Sequence, residues 1–190
     1  MSQQRILSII IVLAVIISIS AVSVSLNLIQ AQEGETFSAS LSGKEEVPPT
    51  ESSATGWAKF LTDVNGTQVS YWVNITGLNE ITGTHIHNGS AGQNGDIVVT
   101  LSQQETAMGD NATLSLKGNI TKDNLEGPLL GKELSELVSL MSDGNAYVNV
   151  HTDEFKNGAI RGQIASGLPQ METNMGSTES NNINTTSNIG

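Results

Sequence analysis

The sequence predicts an all-β fold, an antiparallel Greek-key sandwich or flattened barrel of about eight strands with one short crossover helix. Three observations carry this expectation. Short runs rich in Val, Ile, Thr, Phe and Tyr recur between turn residues through the middle of the chain. Several alternate: Val69, Tyr71, Val73 and Ile75 share one face of a strand, and Ser70, Trp72, Asn74 and Thr76 share the other. Beyond the N-terminal segment, a single stretch sets apolar residues at helical spacing.

In chain order, residues 6–28 form an almost unbroken apolar run, preceded by Arg5 and followed by Glu33 and Glu35. A run of about 20 residues spans a bilayer as a helix, and the charge asymmetry puts its N-terminus inside. Residues 1–31 therefore read as a signal peptide or an N-terminal membrane anchor, and Ser18, Ser20, Ser23, Ser25 and Ala31 suit cleavage. If uncleaved, residues 6–28 hold the protein to the membrane. The expected strands are Thr36–Leu41, Gly56–Thr62, Gln68–Thr76, Thr84–His87, Asp96–Leu101, Thr113–Thr121, Ala146–His151 and Ala159–Ala165. Asn65-Gly66 marks a hairpin turn between two of them. Lys132–Met141 places Leu134, Leu137, Val138 and Met141 on one helical face, a short helix in a crossover. Residues 167–190 are mostly Ser, Thr, Asn, Gly and Met without apolar periodicity, and read as a disordered polar tail. The folded part is thus one domain over residues 36–165.

Composition narrows the function. Of 190 residues, 19 are acidic and 8 basic, a net charge of −11 that disfavours nucleic acid and anionic membrane surfaces and favours cationic partners. There is no cysteine, so disulfides, zinc ribbons, iron–sulfur clusters and thiol nucleophiles are excluded. Sequons at Asn65, Asn74, Asn88, Asn111, Asn119 and Asn184 give weak support for an exported glycoprotein. No nucleophile elbow is recognisable, and the scattered carboxylates single out no catalytic pair.

The three histidines are the strongest candidates for chemistry. Residues i and i+2 of a strand share a face, so His85 and His87 project together while Ile86 turns to the core. In the run Ala146–His151, Val148 and Val150 take the core face, and Tyr147, Asn149 and His151 take the other. If these strands are neighbours, His85, His87 and His151 form a three-imidazole site for one copper or zinc ion with a position left open. Asp153 and Glu154 would be outer acceptors fixing a ring tautomer, or solvated charges. The competing reading is that His85 and His87 end a strand and hydrogen-bond the loop that follows. Gly89, Gly92 and Gly95 in that loop read as turn formers, since no lysine or helix accompanies them. Trp57 and Trp72 read as packing residues, with a carbohydrate-stacking surface as the alternative.

Three stretches, FSASLSGKEEVPP at 37–49, GTHIHNGSAGQNGDIVV at 83–99, and AYVNVHT with GAIRGQ between 146 and 163, resemble the chordin-type (CHRD) domain family. The sequence departs from the family's usual pattern at Lys156 and Ala159. The resemblance implies an extracellular β-sandwich module and names no ligand. A fainter likeness is to copper-zinc superoxide dismutase, in which a His-x-His strand, a later Val-His strand and an arginine occur in this order. That likeness would make His85, His87 and His151 copper ligands and Arg161 an anion-guiding residue, while the bridging histidine, zinc ligands and disulfide of that enzyme are missing. Two functions follow as expectations. The first is a non-catalytic binding or adhesion module outside the cytoplasm, recognising an extracellular protein or polymer; the second is a mononuclear copper or zinc protein.

Overall fold

Antiparallel pairing organises the molecule, as seen in a computed structural model that describes residues 34–106 and 113–168. The strands are β1 (Thr36–Ser42), β2 (Thr55–Thr62), β3 (Val69–Thr76), β4 (Glu80–Asn88), β5 (Ile97–Thr106), β6 (Thr113–Ile120), β7 (Ala146–Thr152), β8 (Ile160–Gln163) and β9 (Ala165–Ser166). They lie in the order β5-β4-β7-β8-β1-β2-β3-β6, with β9 paired to β1. The sheet curls into a nearly closed barrel. Tyr71 on β3 reaches across the gap toward β5, its hydroxyl donating to the Leu101 carbonyl at 2.8 Å. The N-terminal segment and the tail beyond Leu168 lie outside the described residues.

The alternation read in the sequence decides what fills the barrel. Phe37, Phe60, Val73, Ile75, Ile86, Val148, Val150 and Ile160 are all buried in one core. The crossover from β6 to β7 runs through two 3₁₀ turns and the single helix of the described residues, α1 (Leu134–Ser142). Its Leu134, Leu137 and Met141 pack on that core, the spacing that predicted it. The turn at Asn65-Gly66 forms as expected, with Gly66 at φ 68° and the Asp63 carboxylate accepting from the Thr67 and Gln68 amides.

Three strands differ from expectation in extent. β4 begins at Glu80, because Ile81 is already in the core and pairs with Thr152 although Gly83 follows it. β5 runs on to Thr106, beyond Leu101. The run Ala159–Ala165 is split, since Ile164 turns fully into the core and sends its amide to the Ala146 carbonyl at 2.9 Å.

The two halves of the barrel wall differ on their outer surfaces. Along β2, β3 and β6 the outward residues meet solvent, the ordinary one-sided pattern of an antiparallel sheet. Along β7 both faces are buried: Val148 and Val150 inward, Tyr147 and Asn149 outward. Something covers this half from outside.

Val150→Asp should prevent folding, because an unpaired carboxylate in this core costs several kcal/mol against a total stability of about 5–15 kcal/mol. Circular dichroism and urea unfolding of the variant check this, and a folded protein of wild-type stability would show the face assignment to be reversed.

Candidate metal centre

β4 and β7 are antiparallel neighbours, which settles the adjacency on which the histidine reading depended. In their register His85 lies opposite Asn149, His87 opposite Tyr147, and His151 opposite Gly83. Opposed residues share a face, so all three imidazoles project outward from the same patch. Their ring centres are 5.1, 5.7 and 5.9 Å apart. One nitrogen from each ring lies within 4.8 Å of those of the other two. Gly83 makes room for this: a Cβ there would stand 2.6 Å from Cε1 of His85.

The rings lie outside the apolar core but not on an open surface, contrary to the outer-face expectation in its simplest form. His87 is buried, and His85 and His151 are half-buried. The cover is the loop 89–95 together with the segment 153–158. Nδ1 of His87 pairs with the Gly95 carbonyl at 2.9 Å, and Nδ1 of His151 with the Lys156 carbonyl at 3.0 Å. A carbonyl only accepts, so each Nδ1 carries the proton and each Nε2 presents a lone pair. Those two Nε2 atoms and Nδ1 of His85 are buried without a hydrogen-bond partner. Backbone carbonyls thus hold the tautomers, the task expected of Asp153 and Glu154, which are exposed. The acidic neighbour the sequence did not reveal is Glu126, whose carboxylate accepts from the Thr100 amide at 2.6 Å and favours the charged form of His85.

Arg161 is the anchor of the cover. It lies opposite Asn149 and is 2 % exposed. Its guanidinium donates to the carbonyls of Ser90 and Gln93 at 3.1 and 2.8 Å and to Oδ1 of Asn94 at 3.2 Å. It stacks on the Tyr147 ring at 3.4 Å, and the other side of that ring stacks on His87 at 4.9 Å. Buried and with three N–H donors engaged by one loop, Arg161 clamps that loop to the sheet and does not face solvent as an anion guide would. Gly95 allows the loop to lie flat, since a Cβ there would fall 1.5 Å from the Asn88 carbonyl oxygen. Gly92, at φ 77°, forms a turn as read, and the competing idea that the histidines bond this loop holds for His87.

Burial determines the electrostatics. Loss of solvent, then repulsion from His151 and His87, holds His85 down at about 4. Burial likewise lowers His87 and His151. Glu46, within reach of the Arg161 charge, is 4 % exposed with Oε1 unpartnered, and burial, opposed by Arg161, pushes its carboxyl up to about 7.

Against known protein families, residues 37–164 match the CHRD domain. The chain belongs to the CHRD domain family. The match spans the described fold from β1 to Ile164 and includes all three histidines, Glu46 and Arg161. A search of the curated proteins finds no match. The likeness of this CHRD domain to copper-zinc superoxide dismutase rests on residue order alone.

These shifts act in opposite directions on stability. Glu46 is raised above its unfolded value, so its contribution is complete below about pH 4.5 and is lost as pH rises through about 7. The histidines are lowered, so theirs is complete above about 6.5 and is lost as pH falls, toward about 4 for His85. In metal-free protein Glu46→Gln should remove the decline in stability between about pH 4.5 and 7 that Glu46 causes, leaving the acid-side loss in place. Urea unfolding of both proteins from pH 4 to 8 checks this.

Proposed function

We propose that this CHRD domain is displayed outside the cytoplasm and that His85, His87 and His151 bind one copper or zinc ion. The observation that carries the reading is the set of buried, unpartnered nitrogens, one on each of three rings that crowd together. A buried acceptor without a partner is costly, and three around one point have no role in packing. The donor set fits: neutral imidazole suits copper and zinc, and the lowered pKa values keep the rings neutral. A metal about 2.0–2.1 Å from three nitrogens sets them roughly 3.3–3.6 Å apart, so the rings would draw in by about an ångström. Bound copper would supply one-electron chemistry and zinc a Lewis acid. The chain's own part is to fix tautomers through Gly95 and Lys156 and to keep water from the rings. The export reading rests on residues 1–31, and fractionation finding the full-length protein free in cytosol would overturn it.

A second reading, a binding or adhesion module, has separate support in Trp57 and Trp72, which are 41 and 38 % exposed on the opposite half of the barrel.

The metal reading is tested by titrating metal-free full-length protein with zinc or cuprous ion against a chromophoric chelator. One equivalent should bind, and affinity should hold below pH 6.5 because the folded-state histidines titrate lower than free imidazole. His85→Ala is the clean variant, since His87 also tethers the cover. It should lose more than the roughly 10–100-fold that removal of an outer partner costs, with the fold unchanged. Equal uptake by a variant with all three histidines replaced by alanine would refute the site.

A further inference from the structure

The open half of the barrel carries a surface that the metal site does not use. On β2, β3 and β6 the register aligns the outward residues in cross-strand rows: Trp57 opposite Asn74 and Ser115, and Lys59 opposite Trp72, itself opposite Lys117. Trp72 is thus flanked by a lysine on each strand beside it, with Lys59 Nζ 5.8 Å from its ring. Trp57 is its diagonal neighbour, about 7–8 Å away across the strands. The remaining outward positions are hydroxyl and amide side chains apart from Leu61. None of the twelve carries a carboxylate, in a chain with 19 acidic residues and a net charge of −11. A hollow of about 310 Å³ lies beside Trp72 and is lined also by Ser70, Lys117 and Asn119.

We infer that this face binds an acidic polysaccharide, a polymer bearing uronic acids. The inference rests on the binding-module reading above and names its ligand. A pyranose ring has one face of C–H groups that stacks on an indole and an equatorial rim of hydroxyls that needs polar partners. Isolated indoles set among hydroxyls and amides match that pattern. The two lysines then pair with the carboxylates of the sugars, a charge complementarity found on this face against the sign of the whole molecule. A second copy of the chain fits less well. A two-fold contact would bring lysines against lysines with no carboxylate to meet them, and the apolar area is broken into separate rings where a stable dimer needs a continuous core.

The test exploits a convenience of the sequence: the chain has two tryptophans, and both are on this face. Full-length protein is made in a host that adds no N-glycans, because the sequons at Asn74 and Asn119 lie on the face. It is titrated with polygalacturonate, with a neutral glucan and with single-stranded DNA, reading tryptophan fluorescence and gel retardation. Polygalacturonate should shift the fluorescence saturably, and more salt should weaken the effect. Trp72→Ala, and Lys59→Gln with Lys117→Gln, should each weaken retardation at least tenfold, with melting temperatures unchanged and metal uptake unaltered. Tryptophan-dependent binding of neutral glucan or DNA as tight as that of polygalacturonate would overturn the acidic-sugar assignment and leave the module reading standing. Tryptophan-dependent dimerisation in place of polymer binding would overturn it in favour of self-association. A wild type that ignores every polymer and stays monomeric would overturn both.

Discussion

A guanidinium buried among carbonyl oxygens is the constraint on which the polar half of this molecule depends. Arg161 cannot lose its charge and has almost no water to solvate it, so its donors must be met by protein. Three of them are met by Ser90, Gln93 and Asn94, all in one loop, while its flat face rests on Tyr147. Gln163 extends the same clamp, its amide donating to the carbonyls of Gly89, Gly144 and Ala146. The loop so held carries Gly95, which fixes His87. Without the cover the histidines would be three solvated rings on a sheet, with ordinary pKa values and free tautomers.

The same wall presents two unlike outer surfaces, one covered by loops and one open to water. Where loops cover β4, β7 and β8, outward polar residues are desolvated and each must find a partner or a ligand. Most do; the exceptions there are three histidine nitrogens, Asn149 Oδ1 and Gln163 Oε1, with Glu46 Oε1, Thr84 Oγ1 and Ser102 Oγ the other buried side-chain atoms without a partner among the described residues. Where β2, β3 and β6 face water, the residues are spaced for solvent and two large aromatic rings stand free. The core beneath is continuous across both halves, so the surfaces can change independently over one scaffold.

Much of this was legible in the sequence. Alternation in β3 and β7 gives the barrel's inside and outside residue by residue, and the i, i+2 rule brings His85 and His87 to one face. Alternation in the run Ala146–His151 turns His151 outward as well, whereas Arg161 entered only through the fainter likeness to copper-zinc superoxide dismutase. What was not legible is every contact between distant loops and the sheet. Arg161 and Ser90 are 71 residues apart, and no local pattern says that one will close over the other. For that reason the sequence left Asp153 and Glu154 open between outer acceptors and solvated charges, and the structure leaves both exposed. Proximity in sequence stood in for a cover that brings backbone carbonyls instead. The extra length of β4 escaped because Gly83 looks like a strand breaker, when it is the gap into which His85 fits.

The central claim is that loop 89–95 and residues 153–158 hold three neutral imidazoles partly shielded from water, each with one ring nitrogen buried and without a protein partner. Nitrogen-15 NMR of the histidine rings in metal-free protein, followed from pH 8 to 4, tests it most directly. His87 and His151 should appear as the Nδ1–H tautomer, and all three rings should titrate below the ordinary 6.5, His85 near 4. Rings titrating together near 6.5 with mixed tautomers would contradict it.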